Sequence, residues 1–214
     1  MRLISTKNGL KLVIAFSACL FAAGVVYSSR NDRTNYGDDS TASDGKVLAF
    51  GDPAKARKAF NEAAKVFFSP RCSNCHPSGD FPTQGDDMNQ HFLDVVRGDE
   101  GKGSDDLSCT MCHQEANTDG DGLPPGAPNW HMPPADQKMQ FRGLTAGDLC
   151  RQLKDPAKNG GRKTVEEALE HLKGDPLVLW AWSPGNDRTT PPLSHADFLK
   201  KMTEWAENGA DCPV

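Results

Sequence analysis

Two short motifs of cysteine and histidine constrain the fold of this chain more than any other feature of its sequence. Cys72-Ser-Asn-Cys75-His76 and Cys109-Thr-Met-Cys112-His113 repeat one frame, two cysteines separated by two residues and followed at once by histidine. This frame is the attachment motif of c-type haem. The two thiols add to the vinyl groups of the porphyrin, and the histidine binds the iron as its proximal ligand. The sequence therefore predicts two covalent haems, with His76 and His113 as proximal ligands and thioether bonds to Cys72, Cys75, Cys109 and Cys112.

Two other kinds of site use paired cysteines. Four cysteines in two such pairs can bind one zinc ion, and a single pair can form a disulfide or a thioredoxin-like redox centre. Neither kind of site requires histidine directly after both pairs, as this chain has. The repeated histidine therefore favours haem over zinc or disulfides.

The first 28 residues differ in character from the rest of the chain. Arg2, Lys7 and Lys11 precede an apolar run that is short for a membrane span and has the length of a signal-peptide core. We interpret 1–28 as a signal peptide or an N-terminal anchor, and both place the protein in the periplasm or otherwise outside the cytoplasm. Residues 29–51 are polar and aperiodic, which is typical of a flexible tether. The folded module is expected over 52–214.

Two further cysteines fall outside the paired motifs and the N-terminal segment. They are Cys150 and Cys212. An even remainder of cysteines in an exported protein suggests a disulfide. Such a bridge would join the end of the last predicted helix to the helix that carries Leu149.

Two haems require two further axial ligands or leave open iron sites. His91 lies in a segment, 86–98, that reads as a short helix ended by Gly98, with the imidazole on its apolar face. His131 lies in the stiff, proline-rich segment 124–134, where little entropy is lost when a ligand docks. Adjacent side chains of an extended chain point in opposite directions, so His131 and Met132 cannot face the same iron. The preferred distal ligands are thus His91 and His131, and the alternatives are Met132 and His171.

The remaining pattern predicts a mostly α, loop-rich fold with little or no sheet. The 20 glycines and 15 prolines indicate many loops. Helices are expected after Asp52, Thr145, Thr164 and Ser194, each of which precedes a run of apolar residues at helical spacing.

Several blocks of the chain resemble a known family. They are Arg71-Cys-Ser-Asn-Cys-His-Pro-Ser-Gly-Asp80, Asn129-Trp-His131, Leu149-Cys-Arg-Gln-Leu-Lys-Asp-Pro-Ala-Lys-Asn-Gly-Gly161, Asp175-Pro-Leu-Val-Leu-Trp180 and Gly209-Ala-Asp-Cys-Pro213. Over about 70–213 the chain is similar to small exported di-haem c-type cytochromes, some of which are described as isoquinoline 1-oxidoreductase subunit-like. The resemblance implies electron transfer, a redox partner such as a molybdenum hydroxylase or another dehydrogenase, and shared histidines at His91 and His131.

Two functional classes follow from this pattern. An electron carrier needs two six-coordinate irons, whereas a peroxidase-like di-haem enzyme needs one open iron and acid–base groups beside it. The separation of the motifs and the chain length resemble the peroxidases poorly, so we expect the carrier. The excess of 29 acidic over 24 basic residues argues against binding to nucleic acid. Contact with a membrane is expected only through an N-terminal anchor.

Overall fold

Six α-helices carry most of the regular structure in residues 51–214, the part of the chain that the computed structural model describes. They are α1 Pro53–Phe67, α2 Pro70–Ser73, α3 Ala146–Leu153, α4 Val165–Gly174, α5 Pro176–Trp180 and α6 His195–Glu207. Long loops separate α2 from α3 and α5 from α6, so the expectation of a mostly helical, loop-rich fold is confirmed. None of the helices in 51–214 is long and apolar enough to cross a membrane. The predictions for 1–28 and for the tether up to residue 50 lie outside the described residues.

The four predicted helix starts coincide with observed N-caps. The Asp52 carboxylate accepts hydrogen bonds from the first backbone N–H groups of α1, and the hydroxyls of Thr145, Thr164 and Ser194 do the same for α3, α4 and α6. Each cap satisfies donors that have no partner inside the helix, which fixes where the helix begins.

The core forms where α1 packs against α6. Phe60 of α1 lies with its ring centroid 5.0 Å from that of Trp205 in α6, and Phe67 lies 5.2 Å from Phe198. All four side chains are buried. Because α1 ends directly before α2, this packing fixes the position of the first cysteine motif.

The structure joins Cys150 and Cys212 in a disulfide, with the two sulfur atoms 2.05 Å apart. Cys150 is fully buried in α3, and Cys212 lies in the segment that follows α6. This is the pair that the even cysteine remainder suggested, and it ties the C-terminal segment to the core.

The segment 86–98 is not a helix, so that prediction is wrong. Two small antiparallel hairpins occupy the region between α2 and α3: β1 Thr83–Gln84 with β2 Asn89–Gln90, and β3 Gly103–Ser104 with β4 Leu107–Ser108. After β2 a single 3₁₀ turn, Phe92–Asp94, contains Leu93 at φ 65°, which an α-helix cannot accommodate. His91 therefore lies in a loop rather than on the apolar face of a helix.

Candidate cofactor site

Both cysteine motifs fold into one tight turn that brings the thiols and the imidazole together. The His76 backbone N–H donates to the Cys72 carbonyl oxygen at 3.1 Å, and the His113 N–H donates to the Cys109 carbonyl oxygen at 3.0 Å. The first turn begins in α2, and the second begins with a 3₁₀ turn over Cys109–Met111. Residues one turn apart lie on the same side of the chain, so each motif presents two sulfurs and an imidazole toward one region.

The first motif borders a cavity of about 400 Å³ beneath α1 and α6. Cys72, Cys75 and His76 line it, and so do two of the four candidate distal residues, His131 and His171. Most of the other lining side chains are apolar, and many of these belong to the core, among them Phe67, Leu153, Leu172, Val178, Phe198, Met202 and Trp205.

The second motif borders a larger cavity of about 650 Å³. Cys109, Cys112 and His113 line it together with His91 and Met132, the remaining distal candidates. The volumes of both cavities fall in the range of about 300–1,000 Å³ that is usual for cofactor sites. Three residues line both cavities, Arg71, Cys75 and Trp180, so the two sites are neighbours.

The imidazoles of the two motifs are fixed in the same way. His76 Nδ1 lies 2.7 Å from the Met139 carbonyl oxygen, and His113 Nδ1 lies 2.7 Å from that of Pro125. Such a bond makes Nδ1 the donor and leaves Nε2 as the nitrogen that can bind a metal.

An aromatic ring is stacked on each of these imidazoles. Phe141 stacks on His76 with ring centroids 3.9 Å apart, and Trp130 stacks on His113 at 4.3 Å with the two ring planes only 3° from parallel. Each ring is therefore held both by a carbonyl and by a face-to-face contact, and its freedom to rotate is small.

Burial keeps both imidazoles neutral. It lowers the pKa of His76 to about 3, against the opposing effect of the Met139 carbonyl, and it also lowers the pKa of His113. A neutral imidazole is the form that binds a metal ion, so neither ring has to lose a proton near pH 7.

Successive side chains of an extended segment point to opposite sides, and this divides the distal candidates around residue 131 between the two cavities. His131 lines the first cavity, and its neighbours Trp130 and Met132 line the second. Across the second cavity, the ring centroid of His91 lies 6.0 Å from that of His113. The structure thus brings one of the two preferred distal histidines to each motif.

The two preferred distal histidines share a hydrogen-bond pattern that His171 lacks. His91 Nδ1 lies 2.7 Å from the Phe92 carbonyl oxygen, and His131 Nδ1 lies 2.6 Å from the Asn129 carbonyl oxygen. His171 Nδ1 instead lies 3.5 Å from a carboxylate oxygen of Asp175. Both preferred candidates therefore have the nitrogen arrangement of the motif histidines.

Strained backbone is concentrated beside these histidines. Leu93 and Asp94, next to His91, have φ values of 65° and 50°, and Asn129, two residues before His131, has a φ of 56°. Met139, whose carbonyl holds His76, has a φ of 44°. Each left-handed non-glycine residue costs about 1–3 kcal/mol and persists only where its surroundings hold it, which is common at functional sites.

The thiols do not have the properties of a zinc site or of a redox-active cysteine pair. Burial raises the pKa of Cys72 to about 12 and that of Cys75 to about 11, whereas a reactive pair requires a lowered thiol pKa. Within residues 51–214, no group of three or more His, Cys, Asp or Glu side chains is arranged to hold a metal ion. A tetrathiolate zinc site would need all four paired sulfurs at one point.

A buried cation lies between the two cavities. The Arg71 side chain is 2% exposed and pairs with Asp86, while its Nε–H has no hydrogen-bond partner among the described residues. Gln137 Oε1, on the first cavity, is likewise buried without a partner. A buried donor without an acceptor is costly, so the Arg71 Nε–H is available to an acceptor atom of a group bound in either cavity.

Reasoning from the sequence missed most of the residues that hold the motif histidines. The loop 124–141 supplies both carbonyl acceptors and both stacked rings. No spacing rule connects this loop to the two motifs, since its contacts depend on the path of the chain in three dimensions. Comparison of the chain with protein-family models, with curated proteins and with solved structures finds no match.

Proposed function

We propose that this chain is an exported di-haem c-type cytochrome that transfers electrons between redox partner proteins. The observation that carries the proposal is the pair of neighbouring cavities, each lined by a C-x-x-C-H turn and by a second histidine with Nδ1 beside a carbonyl oxygen. The sequence resemblance to small exported di-haem cytochromes supports the same interpretation.

The residues of both cavities fit haem. Each cavity offers two thiols for thioether bonds, a neutral imidazole with Nε2 available, and a largely apolar wall. Haem carries propionate carboxylates, and the unpaired Arg71 Nε–H is a donor suited to one of them. Bound haem would supply the Fe(III)/Fe(II) couple, which one electron interconverts.

We assign His91 to the second haem as its distal ligand. Two imidazoles on opposite sides of one metal ion have ring centres roughly 6 Å apart, since each metal–nitrogen bond is about 2 Å and each nitrogen lies about 1.1 Å from its ring centre. The separation of 6.0 Å between the rings of His91 and His113 matches that value. His131 is assigned to the first haem, because it lines the same cavity as His76.

This ligand arrangement favours an electron carrier over an enzyme. A second histidine in each cavity would supply a further iron ligand, where a peroxidase would leave one iron open for its substrate. The aromatic and carbonyl contacts of the motif histidines hold the ligands in place, which suits a centre that gains and loses an electron without moving its ligands. Because the cavities share Arg71, Cys75 and Trp180, the two haems would be close enough to exchange electrons within the chain.

The test is to produce the protein in a bacterial host that attaches haem to exported chains, then count haem per chain by mass spectrometry. Two haems are expected. The C72A/C75A and C109A/C112A variants should each retain one, and the control T110A/M111A, which changes only the residues between the second pair of thiols, should retain two. An intact mass equal to that of the bare chain, or zinc in place of iron, would show the proposal to be wrong.

Optical and EPR spectra of the purified protein separate the two functional classes. Two low-spin bis-histidine haems would support the carrier. A high-spin component together with turnover of peroxide would instead indicate the peroxidase-like enzyme.

A further inference from the structure

The two motifs differ in how close they lie to the surface. In the first, both Cys72 and Cys75 are partly buried. In the second, Cys112 is exposed, and Met111 beside it is 61% exposed. Electron transfer slows steeply with distance, so the second site is the one through which a partner would exchange electrons most directly.

Apolar side chains are exposed around the same site. Phe92 is 71% and Leu93 is 56% exposed, and both line the second cavity, as does Leu123. Single exposed apolar residues are ordinary, but several around one cavity indicate a contact surface. A surface of this kind suits a small, short-lived redox complex rather than a permanent one.

Acidic side chains are concentrated in the same part of the chain. Residues 80–121, which include the second motif and much of the second cavity wall, contain eleven Asp and Glu against two basic residues, Arg97 and Lys102. All eleven belong to exposed residues, and two of them, Asp80 and Asp86, are already paired with Lys138 and Arg71. Asp105 and Asp106 form the turn between β3 and β4, directly before two residues that line the second cavity.

We infer that the mouth of the second cavity is the docking surface for a basic redox protein, with Phe92, Leu93 and Met111 at its apolar centre and the acidic loops of 80–121 around it. The inference rests on the proposed function, since it assumes a haem at the second motif. Charge complementarity decides the occupant, because an acidic surface attracts a basic partner and speeds its encounter while it repels an acidic one.

The probe is a basic single-haem cytochrome c in its ferric form, and the matched acidic probe is the same protein after succinylation of its lysines. The fully reduced holoprotein is mixed rapidly with each probe, and one electron passes to each ferric probe molecule. At low ionic strength we expect the basic probe to be reduced at least about tenfold faster than the succinylated one. In 1 M salt, where the Debye length is about 3 Å, the difference should largely disappear.

Two double variants with the same net charge locate the surface. D105N/D106N should lower the rate of electron transfer to the basic probe by about threefold or more at low salt. The control E166Q/E170Q changes α4, which lines only the first cavity, and should leave this rate unchanged. Equal effects of the two variants, or equal rates with the two probes, would overturn the docking surface. If the spectra still show two low-spin haems in that case, the proposed electron carrier stands, whereas a haem-free chain would refute both.

Discussion

If the chain binds two haems as proposed, replacement of His91 by alanine should convert half of the haem iron to high spin. His91 lies in the second cavity only, with its ring centroid 6.0 Å from that of His113, so its loss opens one of two irons. H131A should open the other iron, since His131 lines only the first cavity. The double variant should contain no low-spin haem. EPR and optical spectroscopy should therefore find about half of the iron high-spin in H91A, about half in H131A, and all of it in the double variant.

Chains with a single motif identify which iron each histidine binds. With C72A/C75A only the second haem remains, and in that background H91A should abolish the low-spin signal while H131A leaves it intact. With C109A/C112A the two outcomes should be exchanged. This design separates the assignment from any general loss of structure, because each histidine variant serves as the control for the other.

M132L and H171Q test the alternative ligands. Met132 lines the second cavity and His171 the first, so each competes with a different histidine. Both variants should retain two low-spin haems. A methionine–iron charge-transfer band in the parent protein that M132L removes, or a high-spin half in H171Q, would refute the corresponding assignment.

Three further predictions concern the scaffold. The Cys150–Cys212 disulfide joins residues 62 positions apart and so restricts the unfolded chain, and C150A/C212A should therefore lower the free energy of unfolding by about 4 kcal/mol in urea titrations. A loss below about 1 kcal/mol would show that the bridge does not act through the entropy of the unfolded chain. Burial lowers the pKa of His76 from 6.5 to about 3, so the unfolded haem-free chain binds one proton more than the folded chain, and the free energy of unfolding should fall as the pH drops from 6.5 to 5. H76Q should reduce this slope by about 1 kcal/mol per pH unit in denaturant titrations, and an unchanged slope would show that burial does not keep the ring neutral. Gly101 has a φ of 76°, and a Cβ added to it would lie 1.9 Å from the Met132 carbonyl oxygen, so G101A should lower the free energy of unfolding by at least about 2 kcal/mol in thermal unfolding. The control G85A, at φ 73° with open space around it, should lower it by about 1 kcal/mol, and equal losses would show that the close approach to Met132 is unimportant.

The capping residues show how far local sequence reaches. Asp52, Thr145, Thr164 and Ser194 cap the helices that were predicted to follow them, because an N-cap acts on donors only two or three residues away. The C-x-x-C-H turns are equally local. Their hydrogen bonds connect residues four positions apart, so the frame itself determines that two thiols and an imidazole lie together.

The segment around His91 shows where local patterns fail. Four residues at helical spacing suggested a helix, yet Asn89 and Gln90 pair with β1, and Leu93 has a left-handed backbone. A pattern over so few residues carries little free energy, so contacts with distant parts of the chain override it. The histidine nevertheless lies beside the second motif, at a position that the loop rather than a helix face provides.

Local sequence was enough to predict the two C-x-x-C-H turns, the helix starts and the short set of histidines that could complete each site, because all of these depend on residues within one or two turns of one another. Which histidine lies beside which motif depends on the three-dimensional path of the chain. That choice depends on how the loop 124–141 passes between the cavities and sends His131 into one and Met132 into the other. Contacts between such distant segments arise from the packing of the whole core, which no local spacing encodes.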